Sequence, residues 1–248
     1  MSESVGAVPY AEIDTVFLDV GNTLISIDFD WVAAELGHGG VPTDAEALRR
    51  AEAAARPTYS RRLFVEGVPT GTDLFRAYLV AIIERLPSAA SLSPVAFDAL
   101  ISELRRVLRP DGRASVLWRS VMPGVPDALA RLQALGLRLV VVSNSDGTVE
   151  QSLVDAGLRR YMAHVVDSAL AGFEKPDPRI FLHALQHAGA TADRTLHIGD
   201  LYHADVVGAR SAGVRALLLD PYADWGDVDC PVAPGLSEVA NAIATARQ

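Results

Sequence analysis

Short runs of apolar residues recur along the chain, and each run ends in polar residues or glycine. Continuous hydrophobicity over such a length is typical of a strand that is buried on both faces, as in a parallel sheet. Four runs have this character and are separated by longer segments: residues 16–18, 137–142, 196–198 and 216–219. They predict four buried strands.

The segments between these runs have the hydrophobic period of a helix and are about 10 to 14 residues long, as expected for βαβ units. Four of them are clear: residues 125–135, 148–156, 178–188 and 204–212. Strand and helix therefore alternate along most of the chain. This alternation predicts the α/β class with a parallel sheet.

Residues 28–121 interrupt the alternation, because they contain helix signals and no comparable strand run. Residues typical of helix starts occur at three places: Thr43 with Glu46, Thr72 before an apolar helix over 74–86, and Ser93 with Pro94. The sequence therefore predicts a core formed by residues 1–27 and 122–248, with a helical insertion over 28–121. We expect the insertion to lie over the carboxyl ends of the strands, where open α/β sheets bind ligands.

Charge and composition exclude several classes of partner. The net charge of −9 repels polyanions, and basic residues do not alternate with aromatic residues as they do on nucleic-acid-binding surfaces. No apolar segment approaches the roughly 18 residues that span a bilayer, and the N-terminal segment lacks a basic region. The single cysteine agrees with a reducing compartment. We therefore expect a cytoplasmic protein that binds neither nucleic acid nor membrane; the sequence does not indicate its oligomeric state.

Chemically informative residues follow two of the predicted strands. The first strand leads into Asp19-Val20-Gly21-Asn22-Thr23, and an Asp at the carboxyl end of a strand can act as a nucleophile. The second predicted strand leads into Ser143-Asn144, whose hydroxyl and amide can hydrogen-bond a phosphate oxygen. Each segment alone is also ordinary turn chemistry.

Two later segments add a cation and a pair of acids. Lysine and arginine total 22, yet Lys175 is the only lysine, so a compact ammonium at this position is informative. The third predicted strand is followed by Gly199-Asp200 and then by Asp205. Carboxylates close behind a buried strand suit an oxygen-ligated Mg²⁺, although a helix cap would also explain Asp200.

These four segments, in this order and with a helical insertion after the first, resemble the motifs of the haloacid dehalogenase superfamily. The resemblance covers nearly the whole chain and implies a Rossmann-like parallel sheet with helices on both faces and a helical cap over 28–121. It implies Asp19 as nucleophile and Lys175 as the second catalytic residue. It further implies phosphate contacts from Thr23, Ser143, Asn144 and Lys175, and a Mg²⁺ site at Asp19, the Gly21 carbonyl, Asp200 and Asp205.

The chain departs from the phosphatase pattern of that superfamily at one position. The family's general acid, a second Asp two residues after the nucleophile, is replaced by Gly21. Loss of a general acid or base costs about 10² to 10⁴ in rate. What replaces it, and which residues of the insertion select the substrate, do not follow from the sequence.

Three branches of the superfamily lack this second acid. Haloacid dehalogenases attack carbon without a metal and typically lack the Gly-Asp that this chain has at 199–200. Phosphonatases use a lysine in the cap, and residues 28–121 contain none. The D-x-G-N segment resembles a third group, which acts on phosphate esters. We therefore expect a Mg²⁺-dependent phosphohydrolase that acts on a small phosphorylated metabolite; the alternatives are a C-halogen hydrolase or a catalytically weak phosphate-binding regulator.

Overall fold

The computed structural model describes residues 8–67, 73–110 and 116–248. The chain forms two compact units: one comprises the chain up to Ser26 together with Ser120–Gln248, and the other comprises Ile27–Arg119. We call them the sheet unit and the helical unit. Thr72, which the sequence analysis places before a helix, lies outside the described residues.

The secondary structure alternates as the hydrophobic pattern predicts. In chain order the strands and helices are β1 (Thr15–Leu18), β2 (Ile25–Ile27), α1 (Phe29–His38), α2 (Ala45–Arg61), α3 (Leu74–Ile83), α4 (Pro94–Leu108), β3 (Trp118–Val121), α5 (Val125–Ala134), β4 (Arg138–Ser143), α6 (Val149–Asp155), β5 (His164–Asp167), α7 (Ser168–Ala171), α8 (Pro178–Ala188), β6 (Thr195–Gly199), α9 (Gly208–Ser211), β7 (Arg215–Leu219), β8 (Val232–Ala233) and α10 (Leu236–Ala246). Two π-helical segments, Arg62–Glu66 and Tyr202–Val207, follow α2 and β6.

The sheet unit is built on six parallel strands in the order β5-β4-β1-β6-β7-β8. Successive side chains of a strand point to opposite faces of the sheet. Phe17 and Val140 pack with Phe181 of α8 on one face, and Val16 and Val141 are equally buried on the other. The prediction of a Rossmann-like parallel sheet with helices on both faces is therefore confirmed.

The four apolar runs lie in β1, β4, β6 and β7. The hydrophobic pattern does not predict β2 and β3, which form a two-stranded sheet and of which β3 lies within residues 28–121. It also does not predict β5 and β8 of the six-stranded sheet. These two strands lie at the edges of the sheet. His164 and Val165 of β5 are only half-buried, and Val232 of β8 is exposed. An edge strand needs fewer apolar residues, so its sequence lacks the continuous run that reveals a central strand.

In the helical unit, short polar side chains cap the helix starts. The side chain of Asp44 accepts a hydrogen bond from the backbone N–H of Ala47 at 2.7 Å, so the capping residue of α2 is Asp44 rather than the predicted Thr43. Ser93 caps α4 as predicted, accepting from the N–H of Ala96 at 3.2 Å.

Within the described residues, no helix is long and apolar enough to cross a membrane.

Candidate active site

Three neighbouring strands bring the sequence motifs together at their carboxyl ends. β1 pairs in parallel with β4 on one side and with β6 on the other. Asp19 follows β1, Ser143 ends β4, and Asp200 follows β6. The backbone N–H of Asp19 still donates to the carbonyl of Ile198 at 3.0 Å, which fixes the start of the first motif on the adjacent strand.

Lys175 lies between two carboxylates at the carboxyl ends of these strands. Its Nζ is 2.6 Å from Oδ1 of Asp19 and 2.7 Å from Oδ1 of Asp205. The lysine side chain is only 3% exposed. Burial alone would lower the pKa of Lys175, but the two carboxylates outweigh it and raise that pKa above its usual value. Lys175 is therefore a charged, buried residue of the site and not a solvated surface cation.

The same burial acts on Asp19, the predicted nucleophile. Burial raises the pKa of the Asp19 carboxyl, and the Lys175 ammonium opposes that rise. The contact with Lys175 uses Oδ1 of Asp19. The other carboxylate oxygen, Oδ2, does not take part in this contact.

Asp205 is held by three N–H donors. Its Oδ1 accepts from Lys175 Nζ and from Nε2 of His197 at 2.9 Å, and its Oδ2 accepts from the backbone N–H of Leu201 at 2.9 Å. Burial would raise the pKa of Asp205, but Lys175 and His197 hold it well below its usual range. Burial also lowers the pKa of His197. A neutral imidazole that donates from Nε2 accounts for this contact.

The site contains the donor set of a divalent cation. Carboxylate oxygens of Asp19, Asp200 and Asp205 lie within 4.8 Å of one another, and all three residues are buried. Three carboxylates face one ammonium, that of Lys175, so the buried cluster carries an excess of two negative charges when all are ionised. An oxygen-ligated dication of the Mg²⁺ type fits both the charge and the ligand chemistry. Three N–H donors already bond to the Asp205 carboxylate. A ligand role for Asp205, like those expected of Asp19 and Asp200, stays a prediction.

The side chain of Asn144 is hydrogen-bonded to the backbone of Lys175. Its Oδ1 accepts from the backbone N–H of Lys175 at 2.7 Å, and its Nδ2 donates to the Lys175 carbonyl at 2.9 Å. Both polar atoms of the amide are thus bonded to the backbone of Lys175. The amide nitrogen carries a second N–H, so a phosphate contact from the Asn144 side chain stays a prediction.

The turn after Asp19 is closed by backbone hydrogen bonds and one left-handed residue. The N–H groups of Leu24 and Ile25 donate to the carbonyl of Val20 at 2.9 and 3.0 Å. Asn22 has φ 50°, a left-handed conformation that Asn adopts more readily than most residues, and its Nδ2 donates to Oδ2 of Asp200 at 3.3 Å. Asn22 thereby connects the first and fourth motifs.

The two hydroxyls expected to bind phosphate differ in their surroundings. Thr23 is 1% exposed and lines a cavity of about 200 Å³ together with Met122 and Leu219, and its Oγ1 has no hydrogen-bond partner among the described residues. Ser143 is buried at the end of β4 beside Asn144. Ser143 lies on the strand next to the one that Asp19 follows, and Thr23 lines its cavity together with Asn22, which bonds to Asp200. The phosphate contacts of both residues stay predictions.

The second motif is braced by β5, which the sequence did not reveal. The Asp167 carboxylate accepts from the N–H groups of Gly147 and Val149 at 3.2 and 3.3 Å. The Ser168 hydroxyl bonds both to the N–H and to the carbonyl of Ser145 at 3.0 and 3.1 Å. These hydrogen bonds tie the loop after Ser143 to the end of β5 and the start of α7.

Two glycines permit close packing around Asp205 and Lys175. A Cβ at Gly199 would overlap the carboxylate of Asp205, and a Cβ at Gly208 would lie 2.9 Å from Cα of Pro176, the residue after Lys175. Such separations do not occur for a real Cβ. Glycine is therefore required at positions 199 and 208, because Asp205 and Pro176 lie too close to the backbone there to leave room for a Cβ.

Sequence reasoning did not identify Asn22, Asp167 or His197 as parts of the site. His197 did carry a signal, because it is a polar residue in the middle of the apolar run 196–198, and a buried polar group needs a partner. Asn22 and Asp167 carried none beyond the ordinary chemistry of turns and helix caps.

Comparisons of sequence find related proteins that are described as hydrolases or phosphatases. The sequence model of the haloacid dehalogenase-like hydrolase family matches residues 13–213. The haloacid dehalogenase-like hydrolase domain-containing protein 3 of Bos taurus is 30% identical over 205 residues, which is 81% of this chain and 79% of that protein. A glyceraldehyde 3-phosphate phosphatase of Methanothermobacter thermautotrophicus is 36% identical over 100 residues, 40% of this chain and 44% of that enzyme. A phosphoserine phosphatase of Thermus thermophilus is 38% identical over 102 residues, 40% of this chain and 41% of that enzyme.

Comparisons of structure show the same fold. The HAD-hydrolase YfnB of Bacillus subtilis, solved with magnesium, superposes with a TM-score of 0.62 at 21% identity and covers 94% of this chain and 99% of its own. A 2-haloacid dehalogenase of Pseudomonas syringae pv. Tomato gives a TM-score of 0.52 at 25% identity, with coverage of 94% and 99%. The fold is thus shared by a protein described as a HAD-hydrolase and by one described as a 2-haloacid dehalogenase.

Proposed function

Because the chain belongs to the haloacid dehalogenase-like hydrolase family, we propose that it is a Mg²⁺-dependent phosphohydrolase that acts on a small phosphorylated metabolite through a phosphoryl group on Asp19. The observation that carries the proposal is the buried arrangement of Asp19, Lys175 and Asp205. It holds one carboxylate oxygen of Asp19 on an ammonium and leaves the other oxygen for attack.

In the proposed first step, Oδ2 of Asp19 attacks the phosphorus of a monoester in line with the leaving oxygen. A bond from Oδ2 to phosphorus forms, the ester P–O bond breaks, and the alcohol leaves with a proton taken from solvent. Lys175 holds Asp19 in place, and the Ser143 hydroxyl binds a phosphoryl oxygen. When bound by Asp19, Asp200 and the Gly21 carbonyl, Mg²⁺ offsets charge on the phosphoryl oxygens.

In the proposed second step, water attacks the phosphorus of the aspartyl phosphate. A P–O bond to the water oxygen forms, the bond from Oδ2 of Asp19 to phosphorus breaks, the water's proton passes to solvent, and inorganic phosphate and the Asp19 carboxylate are released. Gly21 has no side chain to take the proton of this water or to protonate the leaving alcohol in the first step. Missing acid–base assistance costs about 10² to 10⁴ in rate, so substrates with good leaving groups should react best.

A phosphatase is favoured over a dehalogenase by the fourth motif. Attack on carbon with loss of halide needs no metal, so it gives no reason for the buried Asp200 beside Asp19. Here Asp200 is 3% exposed and belongs to the carboxylate cluster that suits a dication. Curated relatives described as phosphatases, which share 36 to 38% identity over about two fifths of this chain, support the same choice. The role of residues 28–121 as a cap that selects the substrate stays a prediction.

The test is a hydrolysis assay of the purified chain on p-nitrophenyl phosphate and a panel of phosphorylated metabolites, with chloroacetate as the substrate for halide release. The proposal predicts phosphate release that Mg²⁺ supports and EDTA abolishes, and no chloride release. Chloride release without phosphate release would establish the dehalogenase. Binding of inorganic phosphate without turnover on any ester would establish the regulatory alternative.

A further inference from the structure

His197 lies in the middle of β6 and is completely buried. One ring nitrogen, Nε2, bonds to Oδ1 of Asp205 at 2.9 Å. The other, Nδ1, is buried with no hydrogen-bond partner among the described residues. Because an ionised carboxylate only accepts hydrogen bonds, the proton of the neutral ring resides on Nε2.

Packing alone does not account for an imidazole at this place. The ring contacts Phe181 edge to face, with 5.0 Å between the ring centroids, and an aliphatic side chain of similar size would make apolar contacts of the same kind. An aliphatic side chain would also leave no buried nitrogen without a partner, which is an unfavourable feature of the imidazole. What the imidazole contributes here and an aliphatic side chain cannot is the Nε2–H donor to Asp205.

That donor acts at the atom that Lys175 also uses. Oδ1 of Asp205 accepts from both His197 and Lys175, while Oδ2 is fixed by the N–H of Leu201. Lys175 is shared almost evenly between Asp19 at 2.6 Å and Asp205 at 2.7 Å. A second donor on Oδ1 of Asp205 reduces the negative charge that this oxygen presents to the ammonium. Without it, the carboxylate can rotate and draws Lys175 away from Asp19.

We propose that His197 is a positioning residue whose Nε2–H fixes the Asp205 carboxylate and thereby places the Lys175 ammonium on Asp19. The inference deepens the proposed function, on which its catalytic consequence rests. The chain of contacts, from His197 through Asp205 and Lys175 to Asp19, is independent of which substrate binds.

The test compares two substitutions that differ in the donor. In His197→Gln the amide nitrogen can donate from nearly the position of Nε2, whereas His197→Leu has similar volume and no donor. We expect His197→Leu to lower kcat by at least about tenfold with little change in KM, and His197→Gln to stay within about threefold of wild type. Phe181→Leu is the matched control, since it alters the packing on the ring and keeps the donor.

A second readout does not depend on activity. Because Lys175 is the only lysine in the chain, an untagged protein labelled with ¹³C,¹⁵N-lysine gives a single lysine side-chain NMR signal. We expect His197→Leu to shift this signal, with His197→Gln and Phe181→Leu close to wild type. An unchanged lysine signal in His197→Leu overturns the inference whatever the activity. A shifted signal in a protein that hydrolyses no ester overturns the proposed function and leaves the positioning contact standing.

Loss of activity can also arise from a damaged fold, and thermal melting separates this case. Since leucine removes an unpartnered buried nitrogen, His197→Leu should melt at or above the wild-type temperature. Equal losses of activity in both substitutions, together with lower melting temperatures, would show that His197 is structural and would refute the inference.

Discussion

The side-chain amide of Asn144 forms two hydrogen bonds with the backbone of Lys175, accepting from its N–H at 2.7 Å and donating to its carbonyl at 2.9 Å. These bonds join the second motif to the third across 31 positions of sequence. With His197 and Asp205 acting on the ammonium end, Lys175 is held at both its backbone and its side chain. Groups of the second and fourth motifs thus hold Lys175 in place, which is what the proposed electrostatic role of its ammonium requires.

Replacing Asn144 should consequently impair Lys175. We predict that Asn144→Ala lowers kcat/KM by about 10², as displacements of about 1 Å in a catalytic group can. It should also cost about 1 to 3 kcal/mol of stability, because it leaves an N–H and a carbonyl of Lys175 without partners. Ser145→Ala is the control, since Ser145 contacts Ser168 through its backbone. Wild-type kinetics in Asn144→Ala would show that the two hydrogen bonds do not matter for catalysis.

A positive charge on another side chain should not be enough to replace the function of Lys175. A guanidinium is broad and planar, and it cannot fit between two carboxylate oxygens that lie 2.6 and 2.7 Å from one nitrogen. We predict that Lys175→Arg is almost as inactive as Lys175→Ala, with kcat/KM below about a tenth of wild type. Since breaking a buried ion pair costs roughly 3 to 5 kcal/mol, activities must be measured well below the melting temperature of each variant. Substantial activity in Lys175→Arg would mean that the site needs only a positive charge.

The absence of a general acid at position 21 should be visible in how kcat/KM depends on the leaving group. We predict that kcat/KM for a series of aryl and alkyl phosphates falls steeply as the pKa of the leaving alcohol rises, because no side chain at Gly21 protonates it. The left-handed residue of this turn is Asn22 rather than Gly21. Gly21→Asp should therefore be tolerated and should raise activity on alkyl phosphates. A flat dependence in wild type, with the chemical step limiting, would show that another residue donates the proton.

Metal binding can be tested without turnover. We predict that Mg²⁺ raises the melting temperature of the wild-type protein, because a ligand that binds only the folded state stabilises it, and that Asp200→Asn abolishes this rise. In the metal-free protein, Asp200→Asn should melt no lower than wild type, since it removes one charge from a cluster of three carboxylates. Asp227→Asn, a change at an exposed carboxylate, is the control. A full Mg²⁺ response in Asp200→Asn would place the metal elsewhere.

The sequence was sufficient for the central strands and for the residues at their ends. Continuous apolar runs reveal β1, β4, β6 and β7 because both faces of these strands are buried, and parallel strands bring their carboxyl ends together. The same reasoning missed β5, a half-buried edge strand, and with it Asp167, which braces the loop after Ser143.

The roles of individual polar side chains were harder to predict. An amide such as that of Asn144 can bond equally well to a phosphate or to a backbone, and only the structure shows its two bonds to the backbone of Lys175. His197 contacts Asp205 because of the path that the chain takes after β6, which no local pattern encodes. Sequence therefore predicts which residues converge, and the structure shows which of them hold the others in place.

The central claim is that Asp19 carries the phosphoryl group during turnover. The most direct measurement is a rapid acid quench of the enzyme during hydrolysis of a phosphate ester with Mg²⁺, followed by peptide mass spectrometry. We predict one phosphoryl group on Asp19 in the wild-type protein, and none in Asp19→Asn, whose kcat should fall by at least about 10³ because the amide is a far weaker nucleophile. Turnover with a phosphoryl group on another residue, or near wild-type turnover in Asp19→Asn, would contradict the account.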